Sequence, residues 1–195
     1  MSELVPIFNI QNYLNSFGKQ IVAEAKLNLQ MAEKGGGELD SSIDFEVFRT
    51  DYGISIAFKM ADYGTFVDKG VSGNEKIQSF TEWTGMRKSS PYKYTTKQPP
   101  VSILELWVKK KGLKGRKSLI KHRKGSDKKK KIKGAGQFIT HKSFAFAIAK
   151  TIQRKGIKSL SFFQQPFGLG MQTFSSDFLS ALKDDILGSL PTKKK

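Results

Sequence analysis

The sequence has no cysteine and only two histidines, His122 and His141, in 195 residues. The first absence excludes a disulfide scaffold, a thiol nucleophile and any cysteine-based zinc site. The second excludes a multi-histidine metal centre within one chain. No stretch approaches the roughly 20 apolar residues needed to span a bilayer. The opening MSELVPIFNIQNYL lacks the basic and then apolar pattern of a secretory signal. The expectation is a soluble protein made in a reducing compartment.

Acidic residues are also scarce, 17 against 34 lysines and arginines. Most fall on the polar faces of predicted elements or beside lysine, so a pair of catalytic carboxylates is not written into the chain. Asp184 and Asp185 lie in the last turns of a predicted helix and read as solvent-facing. His122 sits among cations and His141 opens a helix. Neither lies near a nucleophile-elbow pattern. The glycines at 35–37 and 134–136 lack the GK[ST] ending of a phosphate loop and do not form GxGxxG. No enzyme signature is present, and neither a cofactor nor a metal is expected.

What the chain has in excess is positive charge, and most of it is in one place. Residues 109–133 read KKKGLKGRKSLIKHRKGSDKKKKIK, with fourteen basic residues and one acid, Asp127, for a charge of +13. Segment 1–108 carries −2 and segment 134–195 carries +6. The cations are Lys109, Lys110, Lys111, Lys114, Arg116, Lys117, Lys121, Arg123, Lys124, Lys128, Lys129, Lys130, Lys131 and Lys133. Three readings stand: a solvated loop, a non-specific phosphate-binding arm whose affinity falls with salt, or a wall facing DNA or an acidic protein. Base-specific recognition is disfavoured, because only Arg116 and Arg123 interrupt the lysines. No aromatic residue lies between Val108 and Phe138, so the loop contains no stacking platform for single strands.

Hydrophobic periodicity predicts an α+β domain, with helices packed on one face of a small antiparallel sheet. A helix is expected over 9–34, with Asn9 as a possible N-cap and Gly35-Gly36-Gly37 as its stop. Ile43, Phe45 and Val47, then Ile54, Ile56, Phe58 and Met60, alternate as an antiparallel hairpin turning at 50–53. Residues 61–100 read as irregular. A short helix over 100–111 follows Pro99-Pro100, with Ile103, Leu104, Trp107 and Val108 as its apolar face. Residues 112–136 read as a flexible basic loop. Phe144, Ala147, Ile148, Thr151 and Ile152 mark the apolar face of a helix that stops at Gly156. Residues 161–167 read as an extended aromatic segment, with core and subunit interface given equal weight for Phe162, Phe163 and Phe167. A last helix spans about 172–188, and 191–195 is a frayed tail.

One segment goes beyond periodicity. Tyr63-Gly64-Thr65-Phe66-Val67-Asp68-Lys69-Gly70 resembles the Tyr-x-x-Phe/Tyr-Val-Asp/Glu-x-Gly signature of tailed-bacteriophage head–tail connector proteins, also called neck, tail-completion or minor capsid proteins. Gly37-Glu38-Leu39-Asp40-Ser41-Ser42-Ile43 is similar to that family's Gly-x-Leu-x-x-Ser-Ile lead into the hairpin. Residues 146–152, with Gly156-Ile157 and Phe162-Phe163, are similar to its Ala-x-x-Ile-x-x-x-Gly-Ile…Phe-Phe close. The resemblance implies a connector-like core over 1–70 and 137–190, with 71–136 as an insertion absent from shorter members. It also implies a non-enzymatic virion structural protein of the neck or tail region, made in the bacterial host cytoplasm. Such proteins form closed rings between portal and tail, with genomic DNA in the lumen. The implied partners are other copies of the chain, portal, neck or tail proteins, and DNA without sequence preference; no membrane is implied. Under it, Tyr63 and Phe66 would pack beneath the hairpin, Gly64 and Gly70 would permit tight bends, and Asp68 would bond locally or face a neighbour. The rival expectation is a free, non-sequence-specific nucleic-acid-binding protein using 109–133 as its arm. A third is a small enzyme packaged in the virion around Asp184, Asp185 and His141, with no reaction suggested by the sequence.

Overall fold

A computed structural model describes residues 8–50, 53–113, 115, 120–121, 130–131 and 140–190, with backbone alone at 120–121 and 130–131. In chain order the described elements are α1 (Phe8–Met31), α2 (Glu38–Ser42), β1 (Asp44–Thr50), β2 (Gly53–Lys59), α3 (Gly64–Lys69), β3 (Val71–Ser72), β4 (Ser79–Thr81), β5 (Arg87–Ser89), α4 (Val101–Lys110), β6 (Ile120–Lys121), β7 (Lys130–Lys131), α5 (His141–Lys155), β8 (Gly156–Ile157) and α6 (Gln164–Ser189). The architecture is α+β. The chain divides into two compact units. The first comprises Met1–Val71, Gln78–Tyr92 and Lys158–Lys195; the second comprises Ser72–Ile77 and Lys93–Ile157.

In the first unit, the 3.6-residue stripe of α1 becomes its buried face: Ile10, Leu14, Phe17, Ile21, Ala25 and Leu29 are all buried. β1 and β2 form the expected antiparallel hairpin, with Phe45 opposite Phe58 and Val47 opposite Ile56. α1 packs on this ladder. α6 runs antiparallel along α1, joined by Tyr13–Phe174 and Phe17–Phe174 ring contacts at 5.6 and 5.0 Å. The best-enclosed cluster is Ala25, Leu29, Leu39, Ile43 and Phe162, with Met60, Val67, Leu160 and Phe163 packed around it. Burying a side chain the size of Phe162 contributes roughly 1.5–3 kcal/mol by area alone.

The first unit departs from the sequence reading at three places. Residues 61–100 are not irregular throughout: they contain α3 and the antiparallel hairpin β4–β5. These elements are three to six residues long, too short to show a period. Residues 161–167 are not extended. Phe162 lies in a turn, and α6 already begins at Gln164. Pro166 is tolerated because it occupies the first turn, where its missing N–H has no helical acceptor. Finally, Asp185 is not solvent-facing; it is 4% exposed.

Asp185 explains how α1 begins. Its Oδ1 accepts from the backbone N–H and side-chain amide of Asn9, both at 2.9 Å, and its Oδ2 accepts from the N–H of Ile10 at 3.0 Å. The open amides of the first turn of α1 are thus satisfied by a carboxylate from α6. Asn9 is inside the helix and is not its own cap.

In the second unit α4 packs on α5. Val108, Ala145 and Ala149 are fully buried, and the two alanines let the helix axes approach closely. This corrects both predicted faces. Ile103 and Trp107 of α4 are 63% and 44% exposed, and the Phe144–Ile152 stripe of α5 lines a groove instead of forming the closed face. Thr140 caps α5 by accepting from the N–H of Ser143 at 3.2 Å. The 72–77 segment clasps the far end of α5. The N–H groups of Asn74 and Glu75 donate to the Gln153 and Arg154 carbonyls, both at 2.9 Å. The Glu75 carboxylate takes the Arg154 guanidinium in a two-pronged pair at 2.6 and 2.9 Å. α5 belongs with α4 to the second unit, whereas the sequence reading places it with the 1–70 core.

Candidate functional site

The residues that carry the connector-like signature lie on and around α3. Gly64 opens that helix against β2's exit and α2; a Cβ there would stand 2.7 Å from Met60 Sδ and 2.9 Å from Leu39 Cδ1. Gly70 ends it at φ 70°, in the left-handed region that favours glycine. Between them Asp68 is 3% exposed. Its Oδ1 accepts from the N–H of Phe163 at 2.9 Å and of Gln164 at 3.4 Å. The Val67 and Asp68 carbonyls accept from the N–H groups of Leu160 and Ser161 at 3.0 and 2.9 Å. The signature acid therefore bonds within the chain but across 95 residues of sequence, as the cap of α6. Burial pushes its carboxyl above the usual range, opposed by the Phe163 and Gln164 donors and by Lys69.

The two signature aromatics are not packed beneath the hairpin. Tyr63 and Phe66 are each 42% exposed, and Phe66 meets Tyr92 edge-on at 4.5 Å. Gly64 and Asp68, four positions apart, share the inward side of α3, which leaves Tyr63 and Phe66 to its other sides. Of the later aromatics, Phe162 is pure core. Phe163 and Phe167 are half-buried and stacked on each other at 5.8 Å. Phe17, Phe58 and Trp83 join that aromatic cluster.

A cleft of about 370 Å³ lies beside this segment, where the β4–β5 turn crosses the first turns of α6. Trp83, Gln164, Gln165 and Gln172 line it together with one acid, Glu82. Glu82 pairs with Lys88 at 2.7 Å, and that pairing holds its carboxyl below the usual range. A lone, ion-paired carboxylate is a poor general base at neutral pH. Among the described residues no cluster of three or more His, Cys, Asp or Glu could hold a metal, and no helix is long and apolar enough to cross a membrane.

Of the cationic candidates, Lys109, Lys110 and Lys111 are described. They sit at the end of α4, where positive charge suits the helix terminus. Lys109 pairs with Glu105 one turn back, at 2.9 Å. Lys121, Lys130 and Lys131 are described by backbone alone, in the antiparallel pair β6–β7. Lys114, Arg116, Lys117, Arg123, Lys124, Lys128, Lys129 and Lys133 lie outside the described residues. The unit boundaries sharpen the charge asymmetry. Over its sequence ranges the first unit has 13 basic and 14 acidic residues, for −1; the second has 21 and 3, for +18.

Sequence reasoning missed two sets of residues. Asp185 shares a helical face with Phe174 and Phe178, at spacings of eleven and seven, and that placement was the available signal. The outward apolar residues of α4 and α6 had none, because period reveals a face without saying which face is covered. Comparison with protein-family models, with curated proteins and with solved structures finds no match.

Proposed function

We propose that the chain is a structural subunit of a tailed-phage neck, a non-enzymatic protein that assembles with copies of itself into a head–tail connector ring through which DNA passes. The observation that carries this reading is convergence. Parts of the three stretches that resemble the connector signature meet in one core: Leu39 and Ile43 from the first, Val67 from the second, Phe162 and Phe163 from the third, whose residues 146–157 belong to the second unit. Asp68 of the second is hydrogen-bonded to Phe163 of the third. A chance match of short motifs has no reason to be spatially joined. Tyr63 and Phe66 remain half-exposed beside this core, as residues that meet a neighbouring subunit would. Native mass spectrometry and electron microscopy of the purified chain, alone and in particles, test the reading. A closed ring is expected, and a monomer under all conditions refutes it.

The concentration of +18 in the second unit favours a second reading, a free non-specific nucleic-acid binder. Deleting 109–133 separates the two. If duplex DNA binding by the isolated monomer is tight, falls steeply with salt and vanishes on deletion, the protein is the binder. If the deleted chain still assembles but loses genome retention, it is the connector.

A further inference from the structure

We infer that the cleft between the β4–β5 turn and α6 binds a neutral saccharide, with Trp83 as its stacking surface and Gln165 and Gln172 as the groups that read hydroxyls. Every lining residue belongs to the first unit. The site is therefore complete in one chain and does not depend on ring formation. Its volume of about 370 Å³ falls within the range of small-molecule sites, about 300–1,000 Å³.

The walls are in place before a ligand arrives. Gln165, Gly168, Leu169 and Gln172 recur at spacings of three, four and seven residues, so they share one face of α6. Gly168, in the middle of that face, lets the Trp83 carbonyl sit against the helix; a Cβ there would stand 2.2 Å from the oxygen. The backbone N–H of Trp83 donates to Gln164 Oε1 at 3.1 Å. The turn itself is closed by the N–H of Glu82 donating to the Met86 carbonyl at 2.8 Å and that of Gly85 to the Glu82 carbonyl at 2.9 Å. The indole meets Phe167 edge-on at 6.1 Å, yet Trp83 stays 43% exposed. A tryptophan held this way offers a flat apolar platform that loses little freedom on binding.

The chemistry of the lining selects the ligand. Among the described residues no cation lines the cleft, and its one acid, Glu82, is occupied by Lys88 at 2.7 Å. A phosphate would find no counter-charge here, and a metal or ammonium ion no free carboxylate. What remains is neutral. Gln165 and Gln172 make no side-chain hydrogen bond among the described residues, and the indole N–H of Trp83 makes none either. A glutamine amide is donor and acceptor at once, as a sugar hydroxyl is. A sugar ring meets both demands of the site, with a C–H face for the indole and a rim of hydroxyls for the amides. The base of a nucleotide would stack as well, but its phosphate has no partner in this cleft.

Saturation-transfer NMR on the full chain tests the site, with glucose, galactose, N-acetylglucosamine, maltose, lactose and chitobiose as probes. At least one sugar is expected to bind with a millimolar Kd. Trp83→Ala should weaken that binding about 10-fold, and Gln172→Ala about 5-fold. Gln172 is exposed, so its replacement leaves the fold intact, and circular dichroism checks both variants. Trp107→Ala, in the other unit, should leave binding unchanged. Disaccharides binding at least as tightly as their monomers mark a unit of a glycan chain as the ligand; monomers binding alone mark a free sugar. No binding by any probe up to tens of millimolar overturns the inference. So does binding that survives both Trp83→Ala and Gln172→Ala, or a cleft that takes adenosine and none of the sugars.

Discussion

Replacing Asp68 tests the signature segment most directly. Its carboxylate oxygen is the acceptor for two N–H groups at the start of α6, those of Phe163 and Gln164. The side chain is 3% exposed, so water cannot readily substitute. Asp68→Ala removes a cap, which costs about 1–2 kcal/mol. It also leaves a donor under-satisfied in a buried site, at about 1–3 kcal/mol. The two costs overlap, so about 2–3 kcal/mol is expected. Asp68→Asn keeps an acceptor in the same place and relieves the desolvated charge, so its cost is expected below about 1 kcal/mol. Urea denaturation followed by far-UV circular dichroism at neutral pH measures both. The pH dependence carries a sign. Burial raises the folded carboxyl's pKa above its unfolded value, so between the two values the native state holds more protons. Asp68's own share of stability therefore falls as pH rises through that window, and Asp68→Asn removes the fall. Equal losses in the two variants, or a cost below about 0.5 kcal/mol for Asp68→Ala, would refute the claim that this acid acts as an acceptor for α6.

Other outcomes follow from the same packing. At Asp185, desolvation is the largest single influence and acts upward, yet the Ile10 and Asn9 donors together hold the carboxyl below its usual range. Its contribution is present above the unfolded pKa and is lost as pH falls through the folded one. Asp185→Ala should lower the thermal midpoint at neutral pH, and the difference from the parent chain should shrink on acidification. Gly168 faces the Trp83 carbonyl so closely that a Cβ would overlap it. Gly168→Ala is expected to destabilise by about 1–3 kcal/mol through forced movement of the β4–β5 turn. Gly188, in the same helix with open space around it, should gain about 0.5–1 kcal/mol as alanine. Thermal melts of the two variants check both signs.

The elements legible in the sequence were those long enough to repeat. α1 shows six buried positions at helical spacing, and the β1–β2 hairpin shows strict alternation on either side of its turn. α3, β4 and β5 were illegible, because a three-residue strand held by neighbours has no period of its own. The aromatic run at 161–167 misled for a different reason. Bulky residues beside a proline favour an extended chain locally, and the tertiary cap from Asp68 starts a helix there instead. The candidate site divides in the same way. Gly64, Asp68 and Gly70 were recognisable as a pattern, but the outward turn of Tyr63 and Phe66 depends on which side of a six-residue helix meets the core.

The two capping carboxylates have a consequence for the order in which the chain matures. Asp68 fixes the start of α6, and Asp185, close to the C-terminal end of that helix, fixes the start of α1. The first turn of the first described helix is thus completed by a residue 176 positions later in synthesis. Closing so long a loop is slow compared with forming either helix. A nascent chain can build the β1–β2 hairpin and most of α1 on the ribosome, but α1's leading amides stay open until residue 185 has emerged. The cap on α1 therefore forms in one late step, after nearly all of the described chain has been made.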